Sequence, residues 1–394
     1  MKPNVLNIMK SNTYDLIIGG AGIVGLSHAL AAVKKGWKVA VIERTPKPMG
    51  ASVRNFGFYW LIGQQHGEHL DLAVRSREVW LQMIQEAKIW ARKRGSLFLA
   101  NSKTEADVLE EFHTLTQNQP YDTTLLNRDE LGKYIPSLAS STIQTGLLSS
   151  TEIQVSPFQA IFQLIEYLKF KGVDIFFSEP ILHVETGKVI TSARTLTTNK
   201  VLLSTGSDIY SLFPEEIKKQ NTTLCTLQMM KLKVHDKTKL PKLPIATGTS
   251  LTHYSSFEIC PSMSKLKEQI NANSPLLNEW GINLMIGTTP SKDVILGDSH
   301  EYGSEKFKNN NEINDFLLQE MKEVVDLGEF KVQETWNGTY LKTIGNTYFH
   351  AEVEENVHLV NGLGGNGMTL SFGLAEKHIN KWMGISERPE AALI

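Results

Sequence analysis

One short stretch restricts the fold of this chain more than any other: DLIIGGAGIVGLSHALAAVKKGWKVAVIER, from Asp15 to Arg44. Leu16, Ile17 and Ile18 form an apolar run suited to a strand buried on both faces. Gly20, Gly22 and Gly25 then spell G-x-G-x-x-G, and Ala29, Ala32 and Val33 continue a helical apolar face as far as Gly36. WKVAVIE reads as a second buried strand. In a strand-turn-helix unit the first glycine permits the tight turn, the second lets backbone approach a pyrophosphate, and the third lets the helix lie close on the strand. The helix start presents N–H groups and a positive dipole end to the phosphates. A bare glycine triplet arises by chance in roughly one chain in eight of this length at about 7% glycine, so the flanking pattern must decide. Glu43 decides it: the residue ends the second strand, where a carboxylate can accept ribose hydroxyls. A dinucleotide site is expected.

A length of 394 residues predicts two domains, or one domain with a large insertion. The net charge of −2 gives no electrostatic footprint for nucleic acid. Cys225 and Cys260 are the two cysteines, and neither sits in a C-x-x-C pair. That speaks against a disulfide framework and against a zinc site, and it suits a reducing compartment. MKPNVLNIMKSN lacks the apolar core of a signal peptide. The Leu16–Val33 stretch is broken by four glycines and a histidine, short of a membrane-spanning run. A cytoplasmic enzyme is expected. Asn221-Thr222-Thr223 and Asn337-Gly338-Thr339 fit a glycosylation sequon but carry no weight without a signal peptide.

A second glycine cluster, VNGLGGNGMTLSFGLAEKH, spans Val360 to His378 and runs into an amphipathic helix beginning around Met368. The N1/C2-carbonyl edge of a flavin becomes anionic on reduction, and a glycine-lined helix start stabilises that charge with backbone donors and its dipole. Two such sites at opposite ends of the chain fit the two ends of FAD.

Together IIGGAGIVG…VIER, GASVRNFG, LLSTGS and GLGGNGMTLSFG resemble the family of D-amino-acid oxidase, glycine oxidase and sarcosine oxidase. The resemblance runs over nearly the whole chain. It implies an α/β fold with a discontinuous Rossmann-like FAD-binding domain and an α+β substrate domain built on a mixed or antiparallel sheet. Gly20, Gly22, Ile23, Val24 and Gly25 would hold the pyrophosphate, Glu43 the adenosine ribose, and Arg44 would lie beside the adenine. Ser52, Arg54, Asn55 and Phe56 match the loop passing the pyrophosphate and the flavin ring. Val184 matches the strand whose backbone reads adenine, and Thr205 and Gly206 match the strand end beside the cofactor. Gly338, Gly364, Gly365, Asn366, Gly367, Met368 and Thr369 complete the expected cofactor set. Neither cysteine sits in a recognisable attachment motif, so the FAD is expected to be non-covalent.

The cofactor motifs lie in separated blocks, which places the FAD-binding domain at 13–75, 150–215 and 335–394 and the substrate domain at 76–149 and 216–334. VSPFQAIFQLIEYLKFKG predicts a helix with Ser156 as N-cap, Pro157 at the first position and Gln159 completing a capping box. Phe158, Ile161, Phe162, Ile165 and Leu168 mark its expected buried face, and Gly172 its end. REVWLQMIQEAKIWARKRG reads as helix with Arg92, Lys93 and Arg94 at its solvated C-terminus, and LQMMKLKV and INLMIGTT read as strands.

By the same resemblance a neutral amine gives a hydride from its α-carbon to the flavin, and water hydrolyses the imine. No side-chain base is strictly required, and no catalytic residue is nominated. Relatives that act on amino acids carry an arginine shortly after a Trp-x-Gly element, clamping the carboxylate bidentately. Here Trp336 and Gly338 are followed by Tyr340 at that position, with Lys342 close by. SVRNFG and GGNGMTLSFGLAE resemble a subgroup associated with breakdown of 2-aminoethylphosphonate and its hydroxylated or N-methylated relatives. Candidate substrate contacts are Arg54, Tyr340, Lys342, His253, Tyr254 and Gln64, with Trp60 either in the pocket or in the core. The expected reaction is oxidative deamination of an aminophosphonate. The alternatives are the same reaction on glycine, sarcosine or a D-amino acid, or a flavoprotein of another class. Oxygen or a quinone would be the electron acceptor.

Overall fold

The structure is a computed structural model and describes residues 13–303 and 310–385. The opening motif folds as read: a strand over Thr13–Gly19, a helix over Ile23–Lys34 and a strand over Val39–Ile42. The two strands are parallel neighbours, with Leu16 opposite Val39 and Gly19 opposite Ile42. Parallel pairing needs a crossover, and the helix supplies it.

Among the described residues the Thr13–Gly19 strand is central in an eight-stranded sheet. On its other side lies Thr195–Leu203, also parallel, whose far end pairs with Val357–Asn361. Residues from both ends of the chain and its middle thus share one sheet, and its strand ends line up at Gly19, Leu203 and Asn361. Helices Ile23–Lys34, Glu68–Glu86 and Gly367–Trp382 pack together against it. Gly373 lets the last two touch: a Cβ there would lie 2.2 Å from the Leu72 carbonyl oxygen. Between the first and last, His28 and His378 meet with Nε2 and Nδ1 3.0 Å apart.

A nine-stranded sheet is built on the long antiparallel pair Thr222–Val234 and Phe330–Thr343. It continues through Val294–Gly297, Met285–Thr288 and Ile245–Ala246 to Ser96–Ala100, Thr145–Ser149 and Thr123–Asn127. Its mixed character comes from one parallel contact, Ile245–Ala246 beside Ser96–Ala100. LQMMKLKV and INLMIGTT fall on these strands, as their composition predicts.

Five local expectations differ. Phe330–Thr343 belongs whole to the second sheet, so the expected boundary at 335 cuts through a strand. The boundary at 75 likewise cuts the helix Glu68–Glu86. That helix stops at Glu86, and Ala91–Arg92 instead pairs with Ile153–Val155, so Arg92 lies in a strand and Lys93 and Arg94 follow it rather than end a helix. The Pro157–Phe170 helix starts where predicted, but Ser156 makes no side-chain cap hydrogen bond. Its buried face is turned toward Ala160 and Leu164, leaving Phe158 49% exposed against Phe162. No helix among the described residues is long and apolar enough to cross a membrane.

The buried His28–His378 pair has a thermodynamic signature. Burial pulls the pKa of His28 from 6.5 down to about 4. Below pH 6.5 the unfolded chain takes up a proton that the folded chain refuses, so stability is lost as pH falls from about 6.5 towards 4. Urea denaturation midpoints should therefore be level above pH 7 and drop below it. His28→Gln should flatten that drop, by about 1.4 kcal/mol for each pKa unit removed.

Candidate active site

The aligned strand ends open into a cleft of about 730 Å³ that both glycine clusters line. At the first turn Gly20 has φ +108° and a Cβ there would sit 2.4 Å from the Ser204 carbonyl oxygen, so glycine is required. Gly25 is tighter still: a Cβ would fall 2.0 Å from the Gly20 oxygen and 3.1 Å from Ile18. Gly22 precedes the helix and offers no side chain to its amides, while Ser52 Oγ accepts from the Ile23 N–H at 2.9 Å. Ile23 and Val24 also line the cleft. At the far turn the helix begins at Gly367 behind Asn366, again with no side-chain cap, and Gly364, Gly365, Met368 and Thr369 border the same space. Two helix starts facing one cleft offer amides and positive dipole ends to anionic groups.

Glu43 faces the cleft but also braces the turn, its carboxylate accepting from the Ala21 and Thr45 amides at 3.0 Å each. Arg44 is ion-paired with Asp208 at the cleft edge. Thr205 and Gly206 lie at the strand end, where Asn361 Nδ2 donates to the Gly206 carbonyl at 2.8 Å. Asn55 holds its own loop: Nδ2 donates to the Ala51 carbonyl and Oδ1 accepts from Gly57. Val184 is the exception in the expected cofactor set. Its side chain is buried in the core of the first sheet, which leaves the expected backbone contact with adenine to the strand itself, and Pro180 and Ile181 border the cleft beside it.

Among the expected substrate residues, Arg54 lines the cleft with its guanidinium committed to the carbonyls of Met49 and Asn337, at 2.8 and 3.1 Å. The Trp-x-Gly element packs on the same loop: Trp336 Nε1 donates to the Arg54 carbonyl, and Gly338 gives that carbonyl room. Gln64 is buried and donates to the Trp60 carbonyl and Asn366 Oδ1 at 3.1 Å each, so it positions the far glycine turn. Trp60 is both core and cleft, closing a row of stacked rings, Phe56, Phe58 and Trp60, about 5 Å apart. Tyr254 approaches Trp60, its hydroxyl donating to Met285 Sδ at 3.2 Å.

Tyr340 is 9% exposed and stands opposite Cys225 across the long strand pair. A Cβ on Gly365 would be 3.6 Å from its hydroxyl, so the phenol abuts the far glycine turn. Burial holds the phenol well above its ordinary pKa and lifts the Cys225 thiol to about 12, so both stay neutral. Lys342 Nζ donates to the Tyr302 hydroxyl at 3.1 Å and lies over that ring. His253 Nε2 and His300 Nδ1 donate to the carbonyls of Ile282 and Gly281, which assigns their tautomers. Burial drives both pKa values down, to about 4 and about 3, so neither ring is charged at neutral pH.

Asn283, Asp298, His300 and Tyr302 complete this wall and escaped the sequence reading. They come from the ends of paired strands, so only the fold gathers them. The available signal is the polar run DSHEY directly after the apolar strand Val294–Gly297.

A family model described as DAO, FAD dependent oxidoreductase, matches residues 15–379. The chain belongs to this family. Its cofactor is accordingly FAD, and the paired cradles of backbone amides fit that group. The chain is 23% identical over 251 residues to a D-amino acid dehydrogenase of Helicobacter pylori strain J99, covering 49% of this chain and 60% of that protein. It thus spans about 60% of the length of the curated relatives it matches. Glycine oxidase from Bacillus cereus superposes with a TM-score of 0.77 at 19% identity, covering 95% of this chain and 96% of that one. L-proline dehydrogenase from P. horikoshii gives 0.77 at 16%, covering 96% of each. L-alpha-glycerophosphate oxidase from Mycoplasma pneumoniae, with FAD bound, gives 0.68 at 16%, covering 93% and 94%. At such identities these structures share the fold.

Gly25→Ala should separate cofactor binding from folding. A Cβ 2.0 Å from the Gly20 oxygen forces the helix start away from the turn. FAD titration of the variant should show affinity at least roughly tenfold weaker, about 1.4 kcal/mol, with far-ultraviolet circular dichroism retained.

Proposed function

We propose that this protein oxidises the C–N bond of a small primary or N-methyl amine carrying an acid group, and that the acid is a phosphonate, as in 2-aminoethylphosphonate. The observation that carries this reading is the anion side of the pocket. Where the family resemblance calls for an arginine stands the neutral Tyr340, and Lys342 with the Tyr302 hydroxyl supplies the nearby cation and donor. A guanidinium fork matches a planar carboxylate, whereas a point charge among hydroxyl donors suits a three-oxygen head group. Arg54 adds to the local field but its N–H groups are engaged with backbone.

When bound, FAD accepts the hydride that leaves the carbon next to nitrogen. The protein's part is placement. The Gly20–Gly25 turn would hold the cofactor's pyrophosphate and the Gly367 helix start its flavin edge, with Ser52 buttressing the first. Phe56, Phe58, Trp60 and Tyr254 form a hydrophobic wall that limits water around the reacting carbon. Neutral His253 and His300 leave Lys342 as the fixed positive charge of this wall. Water then hydrolyses the imine to an aldehyde and ammonia or methylamine, and oxygen or a quinone takes the electrons. Both cysteines are buried and neither borders the cleft, which supports non-covalent FAD.

A small amino acid is the second reading. The relatives named D-amino acid dehydrogenase and glycine oxidase favour it, and a lysine can also hold a carboxylate. Anaerobic bleaching of the flavin absorbance decides between them, using 2-aminoethylphosphonate, its N-methyl and 1-hydroxy forms, glycine, sarcosine and D-alanine. The phosphonates should bleach it and the carboxylates should not. Tyr340→Arg should weaken phosphonate use by roughly tenfold or more in kcat/KM, about 1.4 kcal/mol. Bleaching by carboxylates alone would transfer the function to amino acids.

A further inference from the structure

The substrate wall holds one carboxyl that the reading above leaves without a task. Asp298 follows the Val294–Gly297 strand and pairs by both backbone bonds with Asn283, each 2.9 Å. It is 4% exposed and borders the cleft. Its Oδ1 has no hydrogen-bond partner, and neither has the Oδ1 of Asn283 beside it. Two buried acceptors without a donor, on residues that border one cavity, cost free energy, on the order of 1–3 kcal/mol each, unless a ligand supplies the donor. A substrate amine carries the N–H groups they lack.

We propose that Asp298 receives the substrate's amino group: its Oδ1 accepts an N–H from the incoming ammonium and then takes that proton, leaving the nitrogen lone pair free. This rests on reading the cleft as an amine site. In the transfer the N–H bond breaks and the Asp298 O–H bond forms, and no electron changes hands. The neutral amine is the form able to give up hydride from its carbon.

The surroundings favour the step. Burial raises the carboxyl's pKa well above its ordinary value, against its own backbone N–H and the Asn283 side chain, and a substrate ammonium beside it supplies the opposite charge that favours the ionised, proton-accepting form. His300 Nδ1 lies 4.0 Å from Asp298 Oδ1, and its ring is 5.1 Å from that of His253, but both are held neutral. Tyr254 and, across the long strand pair, Tyr340 and Cys225 also sense the Asp298 charge, and all three are pushed toward their neutral forms. Lys342 is the formal cation near this group, placed for the acid end of the substrate. One carboxyl and one ammonium on a shared wall complement an amine that also carries an acid.

The test uses FAD-loaded protein, wild type and Asp298→Asn. With 2-aminoethylphosphonate at pH 7, anaerobic bleaching of the variant should be roughly 100-fold slower, the scale of a lost acid–base group. The two rates should converge above about pH 11, where an aliphatic amine is mostly neutral. A purely structural defect would persist at every pH. Perturbation of the flavin spectrum gives a second readout, comparing 2-aminoethylphosphonate with ethylphosphonate, which lacks the amine. Wild type should bind the amine more tightly, and Asp298→Asn should lose that preference. Asp298→Ser, with the same readouts, serves if the asparagine variant does not fold. Equal rates for wild type and variant, or an unchanged amine preference, overturns the role of Asp298. Reduction by no amine overturns the proposed function instead, while the binding pair still decides Asp298.

Discussion

Two helices begin at the same cleft, and their convergence governs the arrangement of everything around it. One starts at Ile23, near the beginning of the chain, and the other at Gly367, near its end. The close approaches that permit it are glycine contacts: Gly25 on the Gly20 carbonyl and Gly373 on the Leu72 carbonyl. The His28–His378 pair joins the two helices away from the cleft. The parallel alignment of Thr13–Gly19, Thr195–Leu203 and Val357–Asn361 then brings Gly20, Thr205 and Gly362 to one edge. The central pyrophosphate of FAD and the flavin edge that becomes anionic on reduction would each meet a donor set.

The second sheet brings chemistry to this frame. Its long strand pair sets Tyr340 against the Gly364–Gly365 turn and, two residues on, Lys342 beside Tyr302. The period of two along a strand keeps both side chains on the cleft face. The neighbouring pair, Met285–Thr288 with Val294–Gly297, delivers Asn283 and Asp298 to the same wall. The substrate wall thus carries neutral histidines and phenols around Lys342 and the Asp298 carboxyl, whose charges, when ionised, are of opposite sign.

Legibility in the sequence followed the range of the interactions involved. The first turn is local: strand, glycines, helix and Glu43 lie within thirty residues, and Gly25 answers to the Gly20 carbonyl five residues away, while Gly20 itself faces Ser204 from the middle of the chain. The far turn was readable for the same reason. Phe158 was misplaced because helix rotation depends on the sheet beneath, with Ala160 and Leu164 taking the inward face. Arg92 was misplaced because its backbone found a partner strand sixty residues away. Asp298 and Asn283 were invisible, since an aspartate after a strand usually ends in solvent and only the sheet register buries this one.

The central claim is that the two glycine turns hold one FAD between them without a covalent bond. Acid precipitation of the purified yellow protein, followed by identification and quantitation of the released flavin, tests it most directly. One FAD per chain in the supernatant, with a colourless pellet, is the predicted result. Colourless protein that FAD cannot reconstitute, or flavin that stays with the pellet, would contradict it.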